Sequence, residues 1–223
     1  MTDIHTHILP GVDDGAATLQ ESLDMLKSCQ EQGVDMVVLT PHFYPWKESL
    51  DAFLERREEA FQKLTEAAGE TMPRLVLGAE VAWCPNLDKM SQISKLTMGK
   101  SNSLLLEMPM TSWSETILEE VYRLYAITGV EPILAHVERY TKLQRSGQIE
   151  ALKQMGVTMQ LSAQVFLSPM KRRRARSLLR TGNWLIGSDC HDPKLRPPCL
   201  GAAVKWVEAC MLENPNISMS WQP

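Results

Sequence analysis

The residues of this chain best suited to chemistry are its five histidines, His5, His7, His42, His136 and His191. Each stands at or just past the end of a short apolar run, in "DIHTH", "VVLTPH", "EPILAH" and "LIGSDCH". Carboxylates occupy the same places: Glu80 in "VLGAEV", Glu107 in "LLLEMP", Asp189 in "IGSDCH", and Asp13 or Asp14 in "GVDDG". A lone histidine is more often structural than a ligand, but five of them beside acids weaken that reading. Strand side chains alternate, so His5 and His7 face the same side, and Asp189 and His191 repeat the spacing near the other end of the chain. Imidazole and carboxylate donors without thiolate suit Mn, Fe or Zn. The closely spaced Cys and His of a structural zinc site are absent. Donors scattered over many segments, with acids able to bridge, point instead to a multinuclear centre.

Such donors need a scaffold that brings distant segments to one edge. Apolar runs predict strands near 2–6, 34–40, 74–81, 103–107, 130–135, 157–161 and 184–188. Several are almost continuously apolar, as strands covered on both faces should be. Helical patterns lie between them. In "TLQESLDMLKSCQEQG", Thr18 and Glu21 form a capping-box pattern, Leu19, Leu23, Leu26 and Cys29 line one face, and Gly33 ends the helix. A second helix runs through "SLDAFLERREEAFQKLTEAAGE", and others are expected at 115–128, 147–155, 169–181 and 199–213. Repeated strand–helix units imply parallel strands, and seven of them suggest a closed or nearly closed barrel, an open doubly wound sheet being the alternative. No G-x-G-x-x-G follows the first strand, which weakens a dinucleotide-binding version. Sites in parallel α/β folds gather at the C-terminal ends of the strands, where the histidines fall.

Composition narrows the classes. The 223 residues, 44% hydrophobic, predict one domain over 1–223. No apolar run approaches the roughly 18 residues of a membrane span, and no signal peptide is legible. A net charge of −4 argues against a general nucleic-acid binder. Five widely spaced cysteines without a C-x-x-C pair predict no disulfide framework and a cytoplasmic protein.

The stretches "DIHTHILPGVDDG", "TPHF", "GAEV", "LLLEMP", "AHVERY" and "SDCHDPKLRPP" together resemble the polymerase-and-histidinol-phosphatase (PHP) superfamily. Within it they are similar to the bacterial tyrosine-protein phosphatases encoded with capsule and exopolysaccharide synthesis genes. The resemblance spans residues 3–198. It implies a distorted (β/α)7 barrel holding three divalent ions, manganese foremost, with Fe, Co or Zn as alternatives. By that resemblance His5, His7, Glu80 and Asp189 would hold the first ion, and Glu80, Glu107 and His136 the second. Asp14, His42 and His191 would hold the third, with Asp13 the competitor of Asp14. The resemblance also gives Arg139 and Arg196 to phosphate. Its implied partner is the phosphorylated, tyrosine-rich tail of a bacterial tyrosine kinase controlling polysaccharide export. Whether the chain forms a homo-oligomer is not legible.

The charges of that set are self-consistent. Three divalent ions against Asp14, Glu80, Glu107 and Asp189 leave a surplus of about two positive charges, matched to a phosphomonoester whose second pKa is about 6. Arginine forks grip two phosphate oxygens at once. A divalent ion lowers the pKa of water from about 15.7 to about 7, which provides a nucleophile. A phenol leaving group, with a pKa of about 10, needs less protonic help than an alkyl alcohol. Asp192 is a candidate general acid, and Phe43, Tyr44 and Trp46 are candidates to wall a phosphotyrosine ring.

Several other readings compete. Cys190 and Arg196 have the C-x5-R spacing of thiolate tyrosine phosphatases, but the loop between them lacks the small residues that let amides encircle phosphate. A small-molecule phosphatase such as one acting on histidinol phosphate is the runner-up. An amidohydrolase would want a lysine where Glu107 stands. A silent metal-binding module would not need the arginine pair. The basic stretch "KRRRARSLLR" reads as a solvated helix face, with an acidic protein partner and nucleic acid as lesser alternatives.

Overall fold

A computed structural model describes residues 1–69, 72–145, 147–179 and 184–213, the last three without side-chain detail. Nine parallel strand segments are present among them. They are β1 (Thr2–Thr6), β2 (Met36–Leu39), β3 (His42–Phe43), β4 (Arg74–Leu77), β5 (Glu80–Ala82), β6 (Ser103–Glu107), β7 (Glu131–Leu134), β8 (Thr158–Ser162) and β9 (Trp184–Gly187). Hydrogen bonding orders them as β1-β2-β4 and β3-β5-β6-β7-β8-β9.

The two groups are halves of one ring. β3 follows β2 after two residues, and β5 follows β4 after two, so each pair forms one kinked stave. The expected strands 34–40 and 74–81 are therefore each broken once. Pro41, at the first break, has no N–H to give a ladder. Beside it Thr40 stays tied to β1, its N–H donating to Thr6 O at 2.9 Å and its side-chain oxygen accepting from Thr6 N at 3.0 Å. The ring joins where Thr6 pairs with Cys190 beyond β9, through His7 N to Cys190 O at 2.9 Å and Asp189 N to His5 O at 2.8 Å. Seven staves result, the distorted (β/α)7 barrel expected from the sequence.

Ile4, Val38, Leu105, Ile133 and Leu185 form a buried cluster fed by strands and not by helices, which identifies it as the barrel interior. The larger cluster lies between strands and helices, where α1 (Leu19–Glu31), α2 (Leu50–Ala68), α3 (Glu115–Thr128) and α7 (Leu200–Glu213) cover the outside. Fully burying a Leu or Phe side chain is worth about 1.5–3 kcal/mol, so Leu26, Phe53 and Leu64 hold α1 and α2 to the ring. Thr18 caps α1 by accepting from Glu21 N, while the Glu21 carboxylate reaches Ala17 N, a variant of the expected box. Leu19, expected on the buried face, is exposed, and Met25 takes its share of the core. The shorter α4 (Gln148–Gln154), α5 (Gln164–Leu167) and α6 (Pro169–Leu179) flank the other side. The end of the helix expected at 169–181 lies outside the described residues. Among the described residues no helix is long and apolar enough to cross a membrane.

Candidate metal centre

The C-terminal ends of the staves bring all nine sequence-predicted donors to one mouth. His5 and His7 come from β1 and its continuation, His42 and Glu80 open β3 and β5, and Glu107 ends β6. In register, His42 sits directly beside Glu80, so the two kinked staves present a base and an acid side by side. His136 and Asp189 follow β7 and β9 with φ of 33° and 54°, a left-handed backbone that is uncommon for residues with side chains. Strain of this kind persists where the surroundings enforce it and gathers at functional sites. Two glycines allow the close approach. A Cβ on Gly15 would lie 2.5 Å from His7 Cβ, and one on Gly187 would lie 2.5 Å from His5 Cβ.

Four buried atoms converge most tightly. His5 Nε2 is 3.1 Å from His7 Nε2, 3.1 Å from Glu80 Oε2 and 3.4 Å from Asp189 Oδ1. His7 Nε2 is 3.2 Å from Glu80 Oε2 and 3.7 Å from Asp189 Oδ1. The hydrogen bonds on the far side of each ring decide what these atoms are. Gln160 Nε2 donates to Leu161 O, and its Oε1 accepts from His136 N, so the amide orientation is fixed. That oxygen lies 3.2 Å from His5 Nδ1, which must therefore be the donor. Asp13 accepts from His42 N and Gly15 N, and its Oδ2 lies 2.6 Å from His7 Nδ1, again the donor. In the neutral rings both Nε2 atoms are then bare lone pairs, facing each other and two carboxylate oxygens. Four lone pairs at these separations fit one cation, since donors about 2.0–2.2 Å from an ion stand about 3–3.5 Å from one another.

Two further groups adjoin the first. Glu80 Oε1 is 2.9 Å from His136 Nε2, and Glu107 Oε1 is 3.8 Å from the same nitrogen. Glu80 thus offers one oxygen to each side, as a bridging carboxylate would. Asp14 Oδ1 lies 3.6 Å from His42 Nε2 and 3.6 Å from His191 Nε2. His7, Asp14, His42 and His191 each offer an atom within 4.8 Å of the others. On the other side of its ring, His42 Nδ1 is buried without a hydrogen bond and lies 3.2 Å from Glu80 Oε2, an orphan that fits a cation on the Glu80 side. The adjacent aspartates divide the work: Asp13 turns back to orient His7, and Asp14 faces the open mouth.

Charge follows the geometry. Burial would raise the Glu80 and Asp189 pKa values, but His5 and other cations reverse this, holding Glu80 well below the usual range and Asp189 at about 2. Burial would lower His7, yet Asp13 and Glu80 hold it at about 10. Burial, and then Glu80, lifts Glu107 to about 7. Burial, then His7 and Arg196, brings His191 down to about 4.

Both expected arginines reach this mouth. Arg139 Nη2 pairs with Asp189 Oδ2, and Arg196 Nη2 lies 2.7 Å from the same oxygen. Each remains about a third exposed, at 37% and 32% for the side chains, so an incoming anion can meet them. Asp192 departs from its expected role. Its carboxylate accepts from the backbone of Lys194, Leu195 and Arg196, which lowers its pKa. An ionised carboxylate capping three amides has no proton to give, so Asp192 shapes the loop that carries Arg196 and is not placed as a general acid.

The aromatic cluster separates in the same way. Phe43 is buried against Phe53 and belongs to the core. Tyr44 stacks on His42, with ring centroids 5.1 Å apart, and Trp46 beside it is largely exposed. Cys190 is fully buried, and burial pushes its thiol well above the ordinary range. A thiol kept protonated in this way is no ready nucleophile, so the C-x5-R spacing of Cys190 and Arg196 carries no thiolate chemistry.

Of the residues that orient the ligands, the sequence reading weighed Asp13 only as a competing ligand and missed Gln160 and Tyr140. Tyr140 Oη accepts from Met108 N and lies 3.2 Å from His136 Nδ1. A buried glutamine inside the apolar "TMQLS" and a tyrosine four residues after His136 were the available signals.

Known proteins resemble this chain over most of its length. The chain is 31% identical over 221 residues to tyrosine-protein phosphatase CpsB of Streptococcus pneumoniae, covering 91% of this chain and 88% of the relative. It is 29% identical over 226 residues to tyrosine-protein phosphatase CpsB of Streptococcus agalactiae serotype III, covering 93% and 89%. Among solved structures it superimposes on a chain from the crystal structures of YwqE from Bacillus subtilis and CpsB from Streptococcus pneumoniae, described as metal-dependent tyrosine phosphatases. There the TM-score is 0.77 at 21% identity, covering 100% of this chain and 98% of that one, a likeness that speaks for the fold. The model of the CpsB/CapC family of capsular polysaccharide synthesis matches residues 1–220, and the chain belongs to that family.

Proposed function

We propose that this chain is a metal-dependent protein-tyrosine phosphatase that binds three divalent ions, manganese being the best suited, and hydrolyses phosphotyrosine on a protein. Its proposed substrate is the tail of a bacterial tyrosine kinase that controls polysaccharide export, met in the cytoplasm. The observation that carries the reading is the convergence of donor atoms from His5, His7, Glu80 and Asp189 beneath two partly exposed guanidiniums. The CpsB relatives, named tyrosine-protein phosphatases, support the choice of substrate class.

In this reading His5, His7, Glu80 and Asp189 hold the first ion. Glu80, Glu107 and His136 hold the second, and Asp14, His42 and His191 the third. Bound divalent ions supply a nucleophile from water near neutral pH and electrostatic stabilisation of the phosphoryl oxygens. The chain supplies the rest. Asp13 and Gln160 fix the ring orientation of His7 and His5, the kind of support whose loss costs about 10–100-fold in metal affinity or activity. Arg139 and Arg196 bind the phosphate oxygens and orient the ester. The phenol leaving group, with its pKa of about 10, departs without a strong acid nearby.

Tyr44, stacked on His42 at the edge of the mouth with the Lys47 ammonium 3.9 Å from its ring centroid, is the proposed aromatic contact of the substrate ring. Tyr44→Ala should raise KM for aryl phosphates about five- to tenfold while leaving alkyl phosphates nearly unchanged, in line with an aromatic pair worth about 0.5–1.5 kcal/mol. Equal losses on both classes would remove Tyr44 from substrate recognition. The function itself is tested by elemental analysis of the purified protein, with turnover of para-nitrophenyl phosphate and phosphotyrosine peptides under Mn, Co, Fe and Zn. No turnover with any metal would leave a binding module. Faster turnover of histidinol phosphate than of any phosphopeptide would make it a small-molecule phosphatase.

A further inference from the structure

We infer that the groove running from Arg139 to α6 is a second anion site that selects phosphotyrosine substrates carrying another negative group nearby. This rests on the phosphatase reading above and deepens it. The groove has a volume of about 460 Å³ and is lined by Arg139, Lys142, Lys171 and Arg174, with Glu138 and Ser162 at its floor.

Three observations carry it. First, Arg139 belongs to both places: its guanidinium pairs with Asp189 in the metal centre, and it also forms one wall of the groove. A peptide whose phosphate meets Arg139 therefore has its neighbouring residues at the groove entrance. Second, the cations are available. Among the described residues Lys142, Lys171 and Arg174 have no ion-pair partner, although other surface basic residues such as Arg56, Arg123 and Lys63 do. Four cations face one carboxylate, Glu138, which accepts from Ser162 N and whose pKa burial raises. Third, Ser162 Oγ lies at the groove floor, buried and without a hydrogen bond, a polar atom that an anion can satisfy.

The basic stretch thus divides by position. Arg172 serves the fold, its guanidinium donating to Phe166 O and packing over Trp206. Lys171, one residue before it, and Arg174, two after it, line the groove instead. The shared chemistry of the occupant is an anionic group on the substrate chain, either an Asp or Glu side chain or a second phosphorylated tyrosine.

The test compares three peptides of equal length: one phosphotyrosine with neutral flanks, one phosphotyrosine with glutamate flanks, and two phosphotyrosines in otherwise neutral sequence. They are assayed on the metal-loaded wild type and on the double variant K171Q/R174Q. Wild type should prefer the charged peptides about tenfold in kcat/KM, and the variant should lose that preference while turning over para-nitrophenyl phosphate and the neutral peptide normally. The advantage should fall as salt rises. Glutamate flanks as effective as a second phosphate would identify a carboxylate subsite; preference for the second phosphate alone would identify a phosphate subsite. Equal losses on all three peptides, or a preserved preference in the variant, would overturn the inference, as would displacement of the acidic peptide by a single-stranded RNA oligomer at lower concentration. If wild type turned over no phosphopeptide, the phosphatase reading would fail. Fluorescence anisotropy with a non-hydrolysable, glutamate-flanked phosphonate peptide would then still judge the groove, since only a groove that works as inferred weakens its binding in K171Q/R174Q.

Discussion

Glu80→Gln should lower kcat/KM for aryl phosphates by about a thousandfold or more, the largest loss expected from a single side chain. A thousandfold corresponds to about 4 kcal/mol of transition-state stabilisation. Glu80 is fully buried, and its two oxygens lie within 3.2 Å of nitrogens on His5, His7, His42 and His136. Glutamine preserves the shape but removes the charge and replaces one oxygen with an N–H₂ that cannot accept. That group would point a donor at a place where cations are to sit. The variant should remain folded by circular dichroism and lose bound metal by elemental analysis. Near-normal turnover would mean that the carboxylate bridges nothing.

Removing the metals should abolish activity and lower Tm by about 5–10 °C, with both restored by adding Mn²⁺. A ligand at about 100 times its Kd stabilises by about 2.7 kcal/mol, and for a chain of this size each kcal/mol moves Tm by about 2–4 °C. The affinity should also depend on pH with a definite sign. His7 in the metal-free site is held at about 10, so below that pH it carries a proton that must leave before its Nε2 can accept a cation. Each displaced proton makes metal affinity fall about tenfold per pH unit as pH drops. Titration of Mn²⁺ binding between pH 6 and 8 should therefore show a slope of about one or more. A flat profile would show that His7 is not in competition with the ion.

Much of this centre was legible because strand chemistry is periodic. His5 and His7 two residues apart, and Asp189 and His191 likewise, require only alternation to share a side, and the apolar runs before them name the edge. The seven staves followed from the alternation of apolar runs with capped helices such as that begun by Thr18. The kinks between Leu39 and His42 and between Leu77 and Glu80 were not legible, because they depend on cross-strand bonds that form only in the closed ring: Thr40 to Thr6 through both backbone and side chain at the first, and Gly78 N to Leu39 O and Glu80 N to Pro41 O at the second. The separate duties of Asp13 and Asp14 were hidden for a related reason: neighbours in a tight turn point in directions set by the turn, not by the pattern. Asp192 looked chemical because it follows His191, and its real partners, three amides ahead of it, emerge only when the loop closes.

The two glycines that abut His5 and His7 bear on how this catalyst can change over time. With Gly15 and Gly187 pressed against the imidazole stems, even one added carbon on either would push a ring off its post. The aromatic lip and the basic groove carry no such contact, so substitutions there leave the imidazole stems where they are. An engineer seeking a new substrate should therefore randomise the lip and leave the floor alone.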